Sequence, residues 1–419
     1  MAEKALNERT YKVYGYRWVV LAVYLFIAVM IQVMWATFFT ITTDAWKYYG
    51  YTDAVKGESA ISLLSIIFMV GMIILSVPSM AAFEKFGFKK SVGFGAVVMG
   101  ICGVLRGIFG ASYPMLIVMT IGFSIAQPFI LNAPGLVAGR WFPEDERATA
   151  NSGGLLANYV GMSIAFLLSP ILLEKGIEIK AIMLIYGIAA AVSAVLFLIF
   201  AREAPPTPPC EEELAVRVDF KEGFVTAWKK KNFLFCILIF FIMLGIFNAF
   251  FTLIEPIMTD MSGGAIDSTQ SGIIGVAILL IGVVGSVVIS LFSDKDKLHR
   301  RLPYLVGANI IGTIGFALFI FMNGFGGMMA AGLIYGFFTI GSAPVLITLA
   351  AEEAYPTSEG TSEGLMMWMG NIGGVIFLGI TSLMGNNHLA MLIMMAVLSA
   401  LVVICMAVMK ETKLQKMKQ

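Results

Sequence analysis

Runs of mainly apolar residues, separated by short polar breaks, recur twelve times along the chain, at about 18–42, 59–82, 90–110, 113–138, 150–173, 180–201, 233–258, 268–292, 303–322, 325–350, 362–384 and 388–409. A helix needs roughly 20 such residues to cross a bilayer, and every run has that length. The pattern predicts an all-α integral membrane protein of twelve transmembrane helices, with both termini on one side. The first run is too long for a signal-peptide core and no cleavage site follows it, so it is expected to remain as a spanning helix. The pattern also repeats at long range. Ala126–Gly154 joins an apolar segment holding Gln127 and Asn132 to a charged loop and a Gly-rich helix start, and Ala343–Gly364 is a weaker copy. Pro143 and Glu146 recur as Pro356 and Glu359, each 213 positions later, about half of the 419 residues.

Composition agrees with lipid as the solvent: 59% of residues are hydrophobic and 13% charged, with a mean hydropathy of +0.88, against about 25% charged in soluble proteins. The net charge of +1 is uninformative, but its distribution is not. The termini and one alternating set of loops hold 23 Lys and Arg, while the other set holds only Lys47, Lys56, Lys175 and Lys180. By the positive-inside rule both termini are cytoplasmic, in a multi-pass protein of the plasma (inner) membrane. The Pro-rich, charged stretch 202–231 divides 1–201 from 232–419, six segments on each side. Two six-helix halves related as parallel repeats are the major facilitator architecture. Glu84-Lys85, after segment two, and Asp294-Lys295, after segment eight, open acid-then-base loops that resemble that superfamily's signature, with Glu84 for the usual Asp and Met80 for the usual Gly.

A narrower resemblance rests on SIAQPFILNAP, the WF and charged loop ending in ATA, and YPTSEGTSEGL at 355–365. These blocks are similar to the feline leukaemia virus subgroup C receptor-related transporters, the choline, ethanolamine and heme-linked branch of the facilitators. The resemblance implies an aromatic and amide cage for a quaternary ammonium, with the helix-one tryptophan at Trp35. Three positions depart from the family: Tyr159 and Asn371 stand where it has Gln, and Asn248 where it has Tyr. A cage so rearranged is open to another substrate as well as to choline.

Amides at membrane depth are costly unless paired or facing water. Gln32, Gln127, Asn132, Asn158, Asn248 and Asn371 fall on helices that line or flank the cavity of this fold. Interhelical hydrogen bonds explain any one of them; their number argues for a polar-lined cavity. With Trp35 and Tyr159 they are the expected substrate-binding residues. Trp18, Trp46, Trp141 and Trp228 sit at segment ends, where an interfacial belt accounts for them; Trp368 is read as packing. Glycines 100, 103, 107 and 110 on segment three, and 332 and 336 on segment ten, have the spacing of close helix contacts.

No carboxylate or histidine falls at a segment centre, and His299 and His388 fall in loops. Ion-coupled transport needs such a group in the pathway, so the expectation is a facilitative uniporter of a small organic solute, an amine, quaternary ammonium or amphipathic metabolite, working by alternating access. Arg140 and Arg147, with Glu84, Lys85, Asp294 and Lys295, are expected to gate the cytoplasmic side against Glu352, Glu353, Glu359 and Glu363. The alternative is a proton- or sodium-coupled exporter using Glu255 or Asp44; a receptor or an enzyme is a further class. No catalytic set, metal cluster, phosphate loop or paired cysteine pattern is present. Hence no enzyme activity, cofactor, metal or nucleic-acid partner is expected, only a small-molecule substrate and the lipid bilayer, in a monomer.

Overall fold

The computed structural model describes residues 12–209, 228–295, 300–355, 357 and 359–410. The linker's centre, His299 and Pro356 therefore lie outside the described residues. Among the described residues there are helices and no strands. They are α1 Arg17–Ala36, α2 Thr42–Tyr48, α3 Ala54–Phe86, α4 Phe88–Phe109, α5 Tyr113–Leu131, α6 Pro134–Trp141, α7 Glu144–Glu174, α8 Ile179–Phe200, α9 Lys231–Thr252, α10 Ile254–Met261, α11 Ser268–Asp294, α12 Leu302–Leu318, α13 Phe325–Tyr335, α14 Gly341–Ala354, α15 Glu359–Leu383 and α16 His388–Val408. Eleven spans are long and apolar enough to cross a membrane, with α5–α6 and α13–α14 each counted as one; α12 is a shorter apolar helix at the place of the ninth predicted segment. Side chains such as Ile199, Val397, Ile314 and Ile74 stand more than half exposed along these helices. That is stable only in hydrocarbon, so the chain is an integral multi-pass membrane protein.

Three predicted segments are not continuous helices. Segment one stops at Ala36 and restarts at Thr42, through the turn Thr37–Ile41, where Thr42 Oγ1 bonds back to the Phe38 carbonyl at 2.9 Å. Segment seven breaks at Leu253 and restarts at Ile254, just before Pro256. The two restarts are 212 positions apart, one short of the 213-position displacement of the internal repeat. Segment four breaks at Asn132–Ala133, where Pro134 has no N–H for the Ile130 carbonyl, which accepts from Tyr24 instead. A fourth irregularity, the π turn Gly336–Ile340, joins α13 to α14. Pro344, four residues on, has no N–H for the Ile340 carbonyl, and a π turn absorbs such a break.

The chain forms two compact units. The first comprises the described parts of 1–35, 74–162 and 180–217. Its helices close on small residues: a Cβ at Gly103 would lie 3.0 Å from the Gly187 Cα, so α4 and α8 cross in backbone contact. Tyr24 of α1 donates to the Ile130 carbonyl of α5 at 2.9 Å and packs edge-on to Phe88, which packs on Phe197. Trp141, expected in the interfacial belt, is instead buried at 2% exposure.

The second unit comprises 36–73, 163–179 and the described residues from 218 onward. Here the ends of segments one, two and five that lie away from the termini pack on α9–α16. Phe166 stacks on Phe251 and tilts against Phe39, and Thr40 Oγ1 donates to the Phe166 carbonyl. Gly275 makes room for the Phe166 ring, since a Cβ there would lie 2.6 Å from it. Trp46 is also buried rather than interfacial, packed on Gly57 of α3. His388 is not a loop residue: it is the first residue of α16, 3% exposed.

Candidate functional site

Six of the eight expected binding residues belong to the first unit. Trp35 is the penultimate residue of α1, half-buried, and Gln32 lies one turn earlier at 6% exposure. α7 meets α1 there: a Cβ at Gly161 would lie 2.7 Å from the Gln32 Cβ. Asn158 and Tyr159, half-buried on α7, are within one turn of that contact. On α5, Gln127 is 8% exposed and one turn from Ile130, the acceptor for Tyr24. At 1.5 Å per residue, those two helix contacts bring Gln127, Asn158 and Gln32 into a band about two turns deep. Asn132, at the end of α5, donates to Ser79 Oγ of α3 at 3.1 Å, so its amide ties two helices together.

Gln32 Oε1, Gln127 Oε1 and Asn158 Oδ1 are buried and have no hydrogen-bond partner among the described residues. Buried polar atoms are nearly always paired, and an unpaired one costs about 1–3 kcal/mol. Three such oxygens in one band describe a surface made to accept hydrogen bonds or to face positive charge. Arg106 of α4, 1% exposed, donates to the Met34 carbonyl at 3.1 Å and lies 5.2 Å over the Phe123 ring. It therefore caps the C-terminal end of α1 beside Trp35. Its charge was visible in the sequence, but nothing there gave its partner.

Asn248 and Asn371 belong to the second unit. A Cβ at Gly374 would lie 2.6 Å from Asn248 Nδ2, so α9 and α15 touch at the asparagine, and Asn371 is one turn away on α15. Asn371 bonds back to its own helix at the Met367 carbonyl, 2.8 Å away. Trp368 donates to the Ile73 carbonyl of α3 at 2.9 Å, a helix tie that hydropathy does not signal.

Arg140, Arg147, Asp294, Glu352 and Glu353, among the expected gating residues, have partners inside their own units. Arg140 pairs with Glu203, whose carboxylate also accepts the backbone N–H groups of Phe88 and Lys89 at 2.7 Å each. Arg301 pairs with Asp294 and Glu352, each at 2.8 Å. Glu353 accepts from Asn232 at 3.0 Å, and Arg147 Nε donates to the Phe142 carbonyl at 3.4 Å. Glu84, Lys85 and Lys295 are exposed and Glu363 half-buried; the Glu359 side chain lies outside the described residues. Glu255 is 2% exposed and accepts from Thr43 N and Oγ1 at 3.0 and 3.1 Å. Burial pushes its carboxyl up to about 7, the two Thr43 bonds oppose that, and the charges of Asp44 and Glu58 add to it. Burial likewise raises Asp44, with Lys47 opposing. Among the described residues no group of three or more metal-ligating side chains occurs.

Residues 20–378 match the sequence profile of the Major Facilitator Superfamily. The choline/ethanolamine transporter flvcr2b of Danio rerio is 26% identical over 383 residues, 87% of this chain and 77% of its own length. The choline/ethanolamine transporter FLVCR2 of Homo sapiens is 26% identical, covering 87% of this chain and 71% of its own. Among solved structures the D-xylose-proton symporter superposes with a TM-score of 0.75 at 14% identity, over 95% of this chain and 99% of that one.

Proposed function

The chain belongs to the major facilitator superfamily, a transporter related to choline/ethanolamine transporters, and on that premise we propose that it is a facilitative uniporter for a small amine or quaternary ammonium solute. The carrying observation is the band of Gln32, Gln127 and Asn158 oxygens, buried and without partners among the described residues, beside Trp35. A hydroxyl-bearing ammonium ion supplies what such a surface lacks: a donor for an oxygen, and positive charge for the carbonyl dipoles. A tryptophan face adds about 0.5–2 kcal/mol of cation–π attraction. Arg106 opposes this less than its charge suggests, because it is set against the negative end of the α1 dipole.

Asn248 and Asn371 complete the binding set from the C-terminal six-helix half, 232–419, which rocks against 1–201 by alternating access. The termini and linker face the cytoplasm of the plasma (inner) membrane, and the protein acts as a monomer. Arg140, Arg147, Glu84, Lys85, Asp294 and Lys295 gate the cytoplasmic side with Glu352, Glu353, Glu359 and Glu363. Choline, ethanolamine and heme binding to wild type and Trp35→Ala tests the cage. The expected outcome is choline or ethanolamine binding that weakens about tenfold or more with the ring removed; indifference of every ligand to Trp35→Ala overturns it.

A second reading, a proton-coupled exporter, is favoured by one observation, the burial of the Glu255 carboxyl at 2% exposure, which pushes it up to about 7. Uptake into proteoliposomes with and without a pH gradient separates the two: uniport runs down the solute gradient at equal rate in both, and coupled transport accumulates solute only with the gradient.

A further inference from the structure

The end of the second unit away from the termini holds titratable side chains that the binding band does not use. The His388 ring stands between two carboxylates: Nε2 is 3.1 Å from Glu58 Oε2 of α3 and Nδ1 is 2.9 Å from Asp260 Oδ2 of α10. His388 and Glu58 are buried, while the Asp260 side chain is 57% exposed and gives protons a way in from solvent. One turn and a half earlier on α10, Glu255 joins that helix to α2 through Thr43, with Asp44 and Lys47 following. α9 and α12 also pack on α16, but their titratable groups, Lys231, Cys236 and Tyr304, sit in the opposite halves of those helices.

A neutral imidazole has one N–H and one lone pair; only the imidazolium donates from both nitrogens. Facing two carboxylates, a neutral ring satisfies one and sets its lone pair against the other. The observed geometry therefore fits a ring that donates from both nitrogens, one proton more than the neutral imidazole carries. We propose that His388, Glu58 and Asp260 are a proton-binding latch, which holds α3, α10 and α16 together when it takes a proton from solvent and frees that mouth when it loses one. The inference rests on the alternating-access reading, in which this end faces away from the cytoplasm. The proton acts as a regulator and is not carried with the solute.

Glu255 works in the same direction. Its carboxyl lies near 7 when buried, against 4.5 when free, so closure is fully supported below the lower value and loses that support as pH rises through the upper one. One proton changes the closed-to-open ratio by at most about tenfold per pH unit.

The test uses the full chain, purified, with native cysteines replaced by alanine and Ala45→Cys on the buried face of α2 as reporter. Its maleimide labelling is followed from pH 5.5 to 8.5 and normalised to glutathione at each pH. Labelling of the otherwise wild-type chain should rise about tenfold or more. His388→Lys, with a fixed charge, and His388→Gln, with none, should each keep only the smaller rise from Glu255, the Lys variant from a slower baseline, and Glu255→Gln then removes it. A pH-independent wild type, or an unchanged rise in both His388 variants, overturns the latch. Choline flux into proteoliposomes is measured alongside: absent flux with the labelling pattern intact rejects the transport reading and not the latch.

Discussion

A guanidinium buried to 1% exposure within a membrane helix has to find acceptors in the protein. Arg106 finds one in the Met34 carbonyl, at a helix end where carbonyls have no intrahelical partner. Two consequences follow at this one residue: the α1 terminus is held, and Trp35 is held with it. Arg106→Met keeps the bulk and removes the donor, leaving a buried carbonyl short of a bond at a cost of about 1–3 kcal/mol. The expected result is a lower melting temperature in detergent together with weaker choline binding. Arg106→Lys, which keeps charge and a donor, should recover part of both, and full activity of Arg106→Met would remove Arg106 from the site. Gln127 and Asn132 make the opposite lesson. They lie five positions apart in one sequence block, yet Asn132 is spent on Ser79 while the Gln127 oxygen is left open.

Among the elements, glycine spacing and proline position decide how the helices meet. The backbone contact of Gly103 with Gly187 joins α4 to α8 with no room for a side chain. Gly187→Leu should therefore force the helices apart, at about 1–3 kcal/mol for overpacking, read as a fall in thermal stability; an unchanged melting curve would mean the crossing is looser than its backbone contact requires. The breaks in segments one and seven are equivalent elements of the two repeats. Thr43 of the first restart helix and Glu255 of the second touch each other. Hydropathy alone ran each segment through its break, because the breaks are themselves apolar, with Phe38, Phe39 and Ile41 at the first and Leu253 and Ile254 at the second.

For the whole molecule, the charge asymmetry between the repeat copies bears on how the cytoplasmic side closes. Arg140 is engaged with Glu203, and Glu352 with Arg301, so the proposed gate works by exchange of partners and not by charges waiting in solvent. Neutralising Arg140 and Glu359 together should change the choline transport rate several-fold and raise cysteine accessibility from the cytoplasm; no change in either ends the gate proposal. On that proposal, pairs that each contribute only about 0–1 kcal/mol suffice, because a transporter needs its two states within a few kcal/mol of each other.

Hydrophobic period and length by themselves determined the all-helical membrane fold, because lipid forces every backbone polar group into helix and leaves a signal of twenty residues at a time, while residue blocks such as SIAQPFILNAP carried the family. The 213-residue repeat was likewise open to reading in one dimension. Which amides are satisfied, which tryptophans are buried, what Arg106 holds, and that His388 stands between two carboxylates, one 330 and the other 128 positions away, were decided only by tertiary structure. The reason is physical. Hydropathy sums over a window and is blind to direction, whereas a hydrogen bond depends on two atoms meeting within about 3 Å, and only the packed helices determine which atoms those are.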